Sequence, residues 1–290
     1  MQSKTCVITG ANAGLGYETA LALAAKDYQV FMVCRSEARG AAARESILQQ
    51  VPNGAVHLTV ADLASQKAVY DAAMQIQAQT STVDVLINNA ALVSSYRQVS
   101  KEGLEMQFAV NHLSHFLLTH LLLPSLQAAP ESRIVNVSSA NHFRGKIHFD
   151  DPNLERNYKV LRAYNQSKLA NVLFTYEMDR KLKAQGITQI SSHAVDPGLN
   201  DTGIGQKNAS WLHGLVWRFR RKQGQSPKEG AKNQIYVASA PEVSGLSGKY
   251  WVKQQSASSA PLSYIKEDAK KLWELSLELT GLKSDSNAVL

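Results

Sequence analysis

A chain of 290 residues with 44% hydrophobic content suits one large globular domain, with or without a small appendage. Its formal charge of +7 is moderate and mostly scattered, so nucleic-acid binding is not expected, and a phosphate-rich cofactor accounts for the excess more economically. Two cysteines, Cys6 and Cys34, are too few for a disulfide framework and sit inside apolar runs, which fits a reduced compartment and neither a redox nor a metal role.

The opening "MQSKTCVITG" enters a strand-like run at once, without the pattern of a signal peptide, and "FLLTHLLLPSL" is too short to span a bilayer. A soluble, cytoplasmic protein is the expectation. Strand and helix patterns then alternate. "KTCVITG" (4–10) predicts a strand and 14–26 a helix; "YQVFMVC" (28–34) predicts a second strand and 37–50 a second helix. A third strand at 55–62 precedes a helix over 66–79, and a fourth strand covers 83–90. Two helical stretches within 101–128, a strand at 133–139, a helix over 160–185 and strands at 189–198 and 248–252 complete the series. The strand runs are apolar without alternation, as in a sheet covered on both faces. This order predicts an α/β fold, a single doubly wound parallel sheet of about seven strands with helices on both faces. One domain over 1–282 and a frayed tail over 283–290 are expected.

Between the first strand and first helix lies "TGANAGLG", with Gly10, Gly14 and Gly16. Glycines there let the backbone approach a pyrophosphate, and the helix N-terminus offers free N–H groups and the positive end of its dipole. Following a strand and opening a helix is the context that this mechanism requires. At the end of the second strand, where an acidic residue would bind the ribose 2′-hydroxyl of NAD, the chain has Cys34 and then Arg35. A guanidinium suits a 2′-phosphate, so NADP(H) is the expected cofactor. Further on, "AYNQSKLAN" sets Tyr164 and Lys168 four residues apart, on one face of a helix. An ammonium beside a phenol stabilises the phenolate, so Lys168 is expected to lower the pKa of Tyr164 toward the working range.

Six motifs now stand in order: "TGANAGLG", "NNAA" (88–91), Asn111 in "NHLSHF", "NVSS" (136–139), "YNQSK" (164–168) and "PGLNDT" (197–202). Together they resemble the short-chain dehydrogenase/reductase family over nearly the whole chain. "VCRS", "NHLSHFLLTHLLLPSL", "YNQSKLANVLFT" and "LWELSLELTGL" resemble its retinol-dehydrogenase-like branch, which is close to the light-dependent protochlorophyllide reductases. Two positions depart from the pattern. Ala91 stands where the family has the glycine of its Asn-Asn-Ala-Gly motif, and Ser114 where the branch usually has glycine.

The resemblance implies a catalytic group of Asn111, Ser139, Tyr164 and Lys168. Tyr164 is the acid in reduction and the base in oxidation. Ser139, rather than its neighbour Ser138, hydrogen-bonds the substrate oxygen, Asn111 orients water in a relay to Lys168, and Lys168 also holds the nicotinamide ribose. For the cofactor it implies the turn residues Gly10, Asn12, Gly14, Leu15 and Gly16 with Arg35. Asp62 and Leu63 flank the adenine, Asn89, Ala90 and Ala91 line the fourth strand, and Pro197, Gly198, Leu199 and Thr202 cover the carboxamide. No metal is needed.

Substrate loops of the family correspond to about 199–226. Here "NASWLHGLVWRFRRKQG" sets Trp211, Leu212, Leu215, Val216 and Phe219 on one helical face, with Arg218, Arg220, Arg221 and Lys222 at the end. It reads as a lid packed on the body, or as a hydrophobic gate whose segment 209–222 also touches an anionic membrane surface. The resulting expectation is an NADP-dependent oxidoreductase acting on a lipophilic aldehyde, ketone or alcohol of retinoid type, as monomer or homodimer. A protochlorophyllide-reductase-like enzyme and a non-catalytic NADP-sensing protein are the rivals. The first uses a cysteine near its substrate, and the second typically loses the tyrosine or lysine.

Overall fold

In the computed structural model, residues 3–198 and 226–282 are described. Their strands are β1 (Thr5–Thr9), β2 (Gln29–Cys34), β3 (Val56–Val60), β4 (Val85–Asn88), β5 (Ser132–Val137), β6 (Ile190–Asp196), β7 (Lys249–Val252) and β8 (Gln255–Ala257). They form one sheet in the order β3-β2-β1-β4-β5-β6-β7-β8, parallel except for β8. All residues of β1, β4 and β5 are buried, which explains why their sequences are apolar without alternation.

Helices cover both faces. On one side lie α1 (Gly14–Ala24), α2 (Glu37–Gln50) and α8 (Pro227–Ser239), whose Leu23, Ile47 and Val237 pack on Ile8, Met32 and Val135. On the other side lie α3 (Gln66–Gln77), α5 (Ser114–Leu121), α7 (Val160–Ala184) and α9 (Lys266–Thr280), with Ile76, Phe116, Phe174 and Trp273 against Val7, Phe31 and Ile134. Between β4 and α5 the chain forms the short α4 (Met106–Phe108) and a π-helical turn (Ala109–Leu113); α6 (Leu123–Ala128) precedes β5.

Three differences from the sequence expectation have physical causes. The helical stretch expected from 101 begins at Met106, because Ser100 Oγ accepts from the Glu102 and Leu104 N–H groups and holds a turn there. Glu105 then caps the helix, accepting from Gln107 N (3.0 Å) and Phe108 N (2.7 Å). The helices Pro227–Ser239 and Lys266–Thr280 were absent from the predicted series. The first carried its signature: Ser226 Oγ accepts from Glu229 N (3.2 Å), with Pro227 in the first turn. The extra antiparallel strand β8 follows a two-residue turn, Lys253–Gln254, with φ of 49° and 62°. That tight-hairpin geometry is usually announced by Asn-Gly or Asp-Gly, and here it is not.

The order places β1 between β2 and β4, so the crossovers after β1 and after β4 run to opposite faces. A crevice opens at the carboxyl ends of these two strands, where ligands bind in sheets of this kind. No described helix is long and apolar enough to cross a membrane.

Candidate active site

The glycine turn sits at that crevice. Gly10 has φ of +69° and its N–H bonds Val33 O (2.8 Å), which turns the chain off the end of β1. Gly16 lies against it: a Cβ built there would stand 2.4 Å from Gly10 O and 2.7 Å from Asn89 Nδ2, so no side chain fits. Asn12 and Gly14 are half-buried between them, and Leu15 is buried. The residue capping α1 is Ala13, which is exposed and has no side chain to satisfy the first N–H groups of the helix. A glycine turn that excludes side chains and a helix start left uncapped together suit a bound pyrophosphate.

The floor of the turn is a polar cluster. Thr9 Oγ1 accepts from the N–H groups of Asn89 and Ala90, each at 2.9 Å, while Asn89 Nδ2 donates to Thr9 O (2.8 Å). Gln234, on the helix Pro227–Ser239, bonds Thr19 Oγ1, Leu15 O and Asn89 Oδ1 through its one Nε2, tying the start of α1 to the end of β4. Ala91 is half-buried, and Leu92 beyond it is held by Asn111. At the edge of the crevice, exposed Arg35 follows buried Cys34, whose thiol faces the Ala11 and Asn12 backbone and is pushed up by burial to about 11. Asp62 and Leu63 follow β3, Asp62 accepting from Ala64 N (3.1 Å) and Leu63 resting on the core.

The second group converges from β5, α5 and α7. Lys168 is 2% exposed, and its Nζ donates to Val137 O (3.0 Å). Nζ also stands 5.6 Å from the centroid of the Tyr164 ring, one helical turn earlier. The two candidate serines separate clearly. Ser138 is buried and donates to Lys168 O (2.8 Å), a structural bond, whereas Ser139 is half-exposed and turned toward the Tyr164 phenol. The Ser139 backbone is fixed by His142, whose Nδ1 donates to Ser139 O (2.7 Å) while its Nε2 accepts from Ala260 N (2.9 Å).

One expectation changes here. Burial pushes the Tyr164 phenol up to about 12, with Ser139 drawing it part of the way back, instead of a neighbouring ammonium drawing it down. The reason is that Lys168 sits over the ring and directs its charge at Val137 O, and burial takes its own pKa down to about 8. Asn111 is held through its side chain. Its side chain clamps Leu92, accepting from Leu92 N (2.8 Å) and donating to Leu92 O (3.0 Å), and it donates to Ser167 Oγ (3.1 Å). The amide is fully engaged, and its backbone carbonyl lies in the π-helical turn.

That carbonyl leads to a residue sequence reasoning missed. His115 Nδ1 lies 3.1 Å from Asn111 O and Nε2 lies 3.0 Å from Thr9 Oγ1. Burial takes this ring down to about 3, so it is neutral. A proton on Nδ1 satisfies Asn111 O and leaves Nε2 to accept from the Thr9 hydroxyl. His115 therefore ties the π-helical turn to Thr9 at the end of β1; its only sequence signal was a histidine four residues after Asn111. Pro197 and Gly198 follow β6, with Gly198 N donating to Asp196 Oδ1 (2.8 Å). Leu199, Thr202 and the segment 209–222 lie outside the described residues, as does the tail.

Comparison with known proteins agrees with this arrangement. The family model described as short chain dehydrogenase matches residues 4–213. Retinol dehydrogenase 13 of Homo sapiens is 39% identical over 294 aligned residues, spanning 98% of this chain and 86% of that protein. Retinol dehydrogenase 12 of Bos taurus is 37% identical, spanning 97% and 87%. The crystal structure of a putative uncharacterized protein from Mycobacterium paratuberculosis superposes with a TM-score of 0.76 at 32% identity, over 96% of this chain and 93% of that one. A 3-ketoacyl-(acyl-carrier-protein) reductase from Brucella melitensis, complexed with NADH, superposes with a TM-score of 0.65 at 22% identity, over 86% and 96%, a likeness of fold.

Proposed function

This chain belongs to the short-chain dehydrogenase/reductase family, in its retinol-dehydrogenase-like branch, and is an oxidoreductase that works with a nicotinamide cofactor; for it we propose NADP(H) as that cofactor and a lipophilic carbonyl or alcohol of retinoid type as substrate. The observation that carries the reading is the convergence of Tyr164, Ser139 and Lys168 beside an uncapped helix start and its glycine turn. The substrate class rests on the relatives that are named retinol dehydrogenases.

In the direction of reduction, bound NADPH would be the source of the hydride that the carbonyl carbon takes up. Tyr164 donates its phenolic proton to the carbonyl oxygen, leaving a phenolate. Ser139 donates a hydrogen bond to the same oxygen and steadies its developing charge. The Lys168 ammonium, 5.6 Å from the ring centroid, stabilises the phenolate once it forms, which matters because the resting phenol stands at about 12. Asn111 holds Leu92 in place and orients water in the relay to Lys168 that returns the proton. Asn12, the turn glycines, Asn89 and Arg35 form the wall on which the dinucleotide lies.

Arg35 is the cation at the end of β2 for a 2′-phosphate. Arg35→Asp is expected to weaken NADPH binding by about 10- to 100-fold, the value of a lost charge-assisted hydrogen bond, and to make NADH the preferred cofactor. Fluorescence titration with both cofactors measures it, and unchanged NADPH affinity would remove Arg35 from the site. The proposal as a whole is tested by following NADPH oxidation with aldehydes and ketones of graded chain length, retinal included. Turnover should rise with the apolar length of the carbonyl compound. NADPH binding without turnover of any of them would instead mark a sensor. The protochlorophyllide-reductase reading finds no support among the described cysteines, since Cys6 and Cys34 are buried within β1 and β2.

A further inference from the structure

Behind the catalytic tyrosine and lysine lies a buried carboxylate with no assigned role. Asp196 ends β6 and is 7% exposed. Gly198 N donates to its Oδ1 (2.8 Å) and Tyr250 Oη donates to its Oδ2 (3.2 Å). Its backbone is anchored as well, because Asn233 Nδ2 donates to Asp196 O (2.8 Å) and to Trp251 O (2.9 Å) across the β6–β7 pair. This is a built position, with each carboxylate oxygen aimed by a donor.

The register shows where it is aimed. Asn136, Ala194 and Tyr250 stand side by side on β5, β6 and β7. Asp196, two residues beyond Ala194, shares their face, the face on which Val172 and Tyr176 of α7 pack. Val195 pairs with Val137, whose carbonyl holds Lys168 Nζ. The carboxylate therefore lies one residue along the neighbouring strand from the anchor of the lysine. An ammonium buried against a neutral carbonyl is unstable without a counter-charge, because burial favours the neutral amine.

We propose that Asp196 is a positioning residue that keeps Lys168 charged inside the protein, with Tyr250 and the Gly198 amide fixing the direction of its charge. The mechanistic consequence rests on the proposed function above. The groups around it are Lys168 and Tyr164 on α7, Tyr250 on β7, His142 on the turn after β5, Tyr176 on α7 beside Tyr250, and His115 on α5 beside Lys168. Burial lowers both His142 and His115, and His142 Nε2 accepts from Ala260 N, so Asp196 is the acid in this set that faces the ammonium. It raises the affinity of Lys168 for its proton, against the burial that lowers it.

Lys168 loses its proton as pH rises through about 8, and removing the Asp196 charge moves that loss to lower pH. The experiment is a pH titration of 13C-labelled lysine side chains by NMR, with Lys168→Met assigning the Lys168 signal. Asp196→Asn keeps an acceptor for Gly198 N–H and removes the charge, and should lower the Lys168 midpoint by at least about 0.5 pH unit. Tyr250→Phe keeps the charge and should leave the midpoint within about 0.2 unit. If Asp196→Asn does not fold, Asp196→Ser replaces it, with the same expected shift. An unchanged midpoint in the neutral variants, or an equal fall in Tyr250→Phe, overturns the proposal. In parallel, the alkaline limb of kcat/KM for carbonyl reduction should move with the midpoint. Because the NMR titration needs no turnover, failure of the enzymatic reading and failure of this one are separable.

Discussion

Tyr164→Phe is expected to lower kcat/KM for carbonyl reduction by about 1,000-fold, within the range that a positioned general acid contributes. The substitution removes one oxygen and keeps the ring over which Lys168 sits, so NADPH affinity and thermal stability should stay close to those of the parent protein. Steady-state kinetics beside a fluorescence titration of NADPH distinguish the two effects. Since burial holds the phenol at about 12, Tyr164 is protonated throughout the working range and imposes no pH limb of its own on reduction. The limb belongs to Lys168, so reduction should fall as pH rises through about 8. A Tyr164→Phe variant that keeps more than about a tenth of the activity would assign proton donation to another group.

Gly16→Ala should be the most damaging single methyl addition in the glycine turn. The new Cβ would sit 2.4 Å from Gly10 O, a backbone atom that cannot swing aside, and 2.7 Å from Asn89 Nδ2. Relief requires α1 to move away from β1 and β4, which also breaks the Asn89 and Gln234 bonds at the floor of the turn. Overpacking of this kind costs about 1–3 kcal/mol, which corresponds to a fall in Tm of roughly 2–10 °C in a domain of this size. NADPH affinity should drop by at least about 10-fold, because the N–H groups and the turn lose their relative placement. Gly103→Ala is the control. Gly103, unlike Gly16, has positive φ, +78°, and nothing lies within 4 Å of its Cβ position, so only the backbone strain of about 1 kcal/mol applies. Equal losses of Tm and of NADPH affinity in both variants would show that close approach at Gly16 is unimportant.

Local patterns carried much of the reading. The apolar runs of β1 to β6 name a sheet covered on both faces because burial on both sides demands it, and the structure has that sheet. The glycine turn was legible because backbone that must pass close to other backbone tolerates few residue types. Tyr164 and Lys168 were legible because four residues along a helix bring two side chains to one face. The helix Pro227–Ser239 could have been read from its Ser-Pro-x-Glu start. The hairpin to β8 could not, since Lys253 and Gln254 adopt positive φ without the residues that favour it.

Other properties depend on atoms that meet only after folding. Both serines of "NVSS" are chemically alike in the sequence. Strand pairing and packing make Ser138 a buried brace on Lys168 O and leave Ser139 facing the phenol. The direction of the Tyr164 shift is set by desolvation, which follows from how much protein surrounds the ring and not from the spacing to a lysine. His115 acquires its place because α5 crosses β1, bringing residues 9 and 115 to 3.0 Å. Asp196 meets Tyr250, 54 residues further along the chain, across the β6–β7 pair. Residue type and spacing were enough to name the tyrosine, the lysine and the glycine turn. Which hydroxyl faces the phenol, which carbonyl holds the lysine and which donors hold Asp196 were decided by the packing of β5, β6 and β7 against α7, because burial and hydrogen-bond direction exist only in three dimensions.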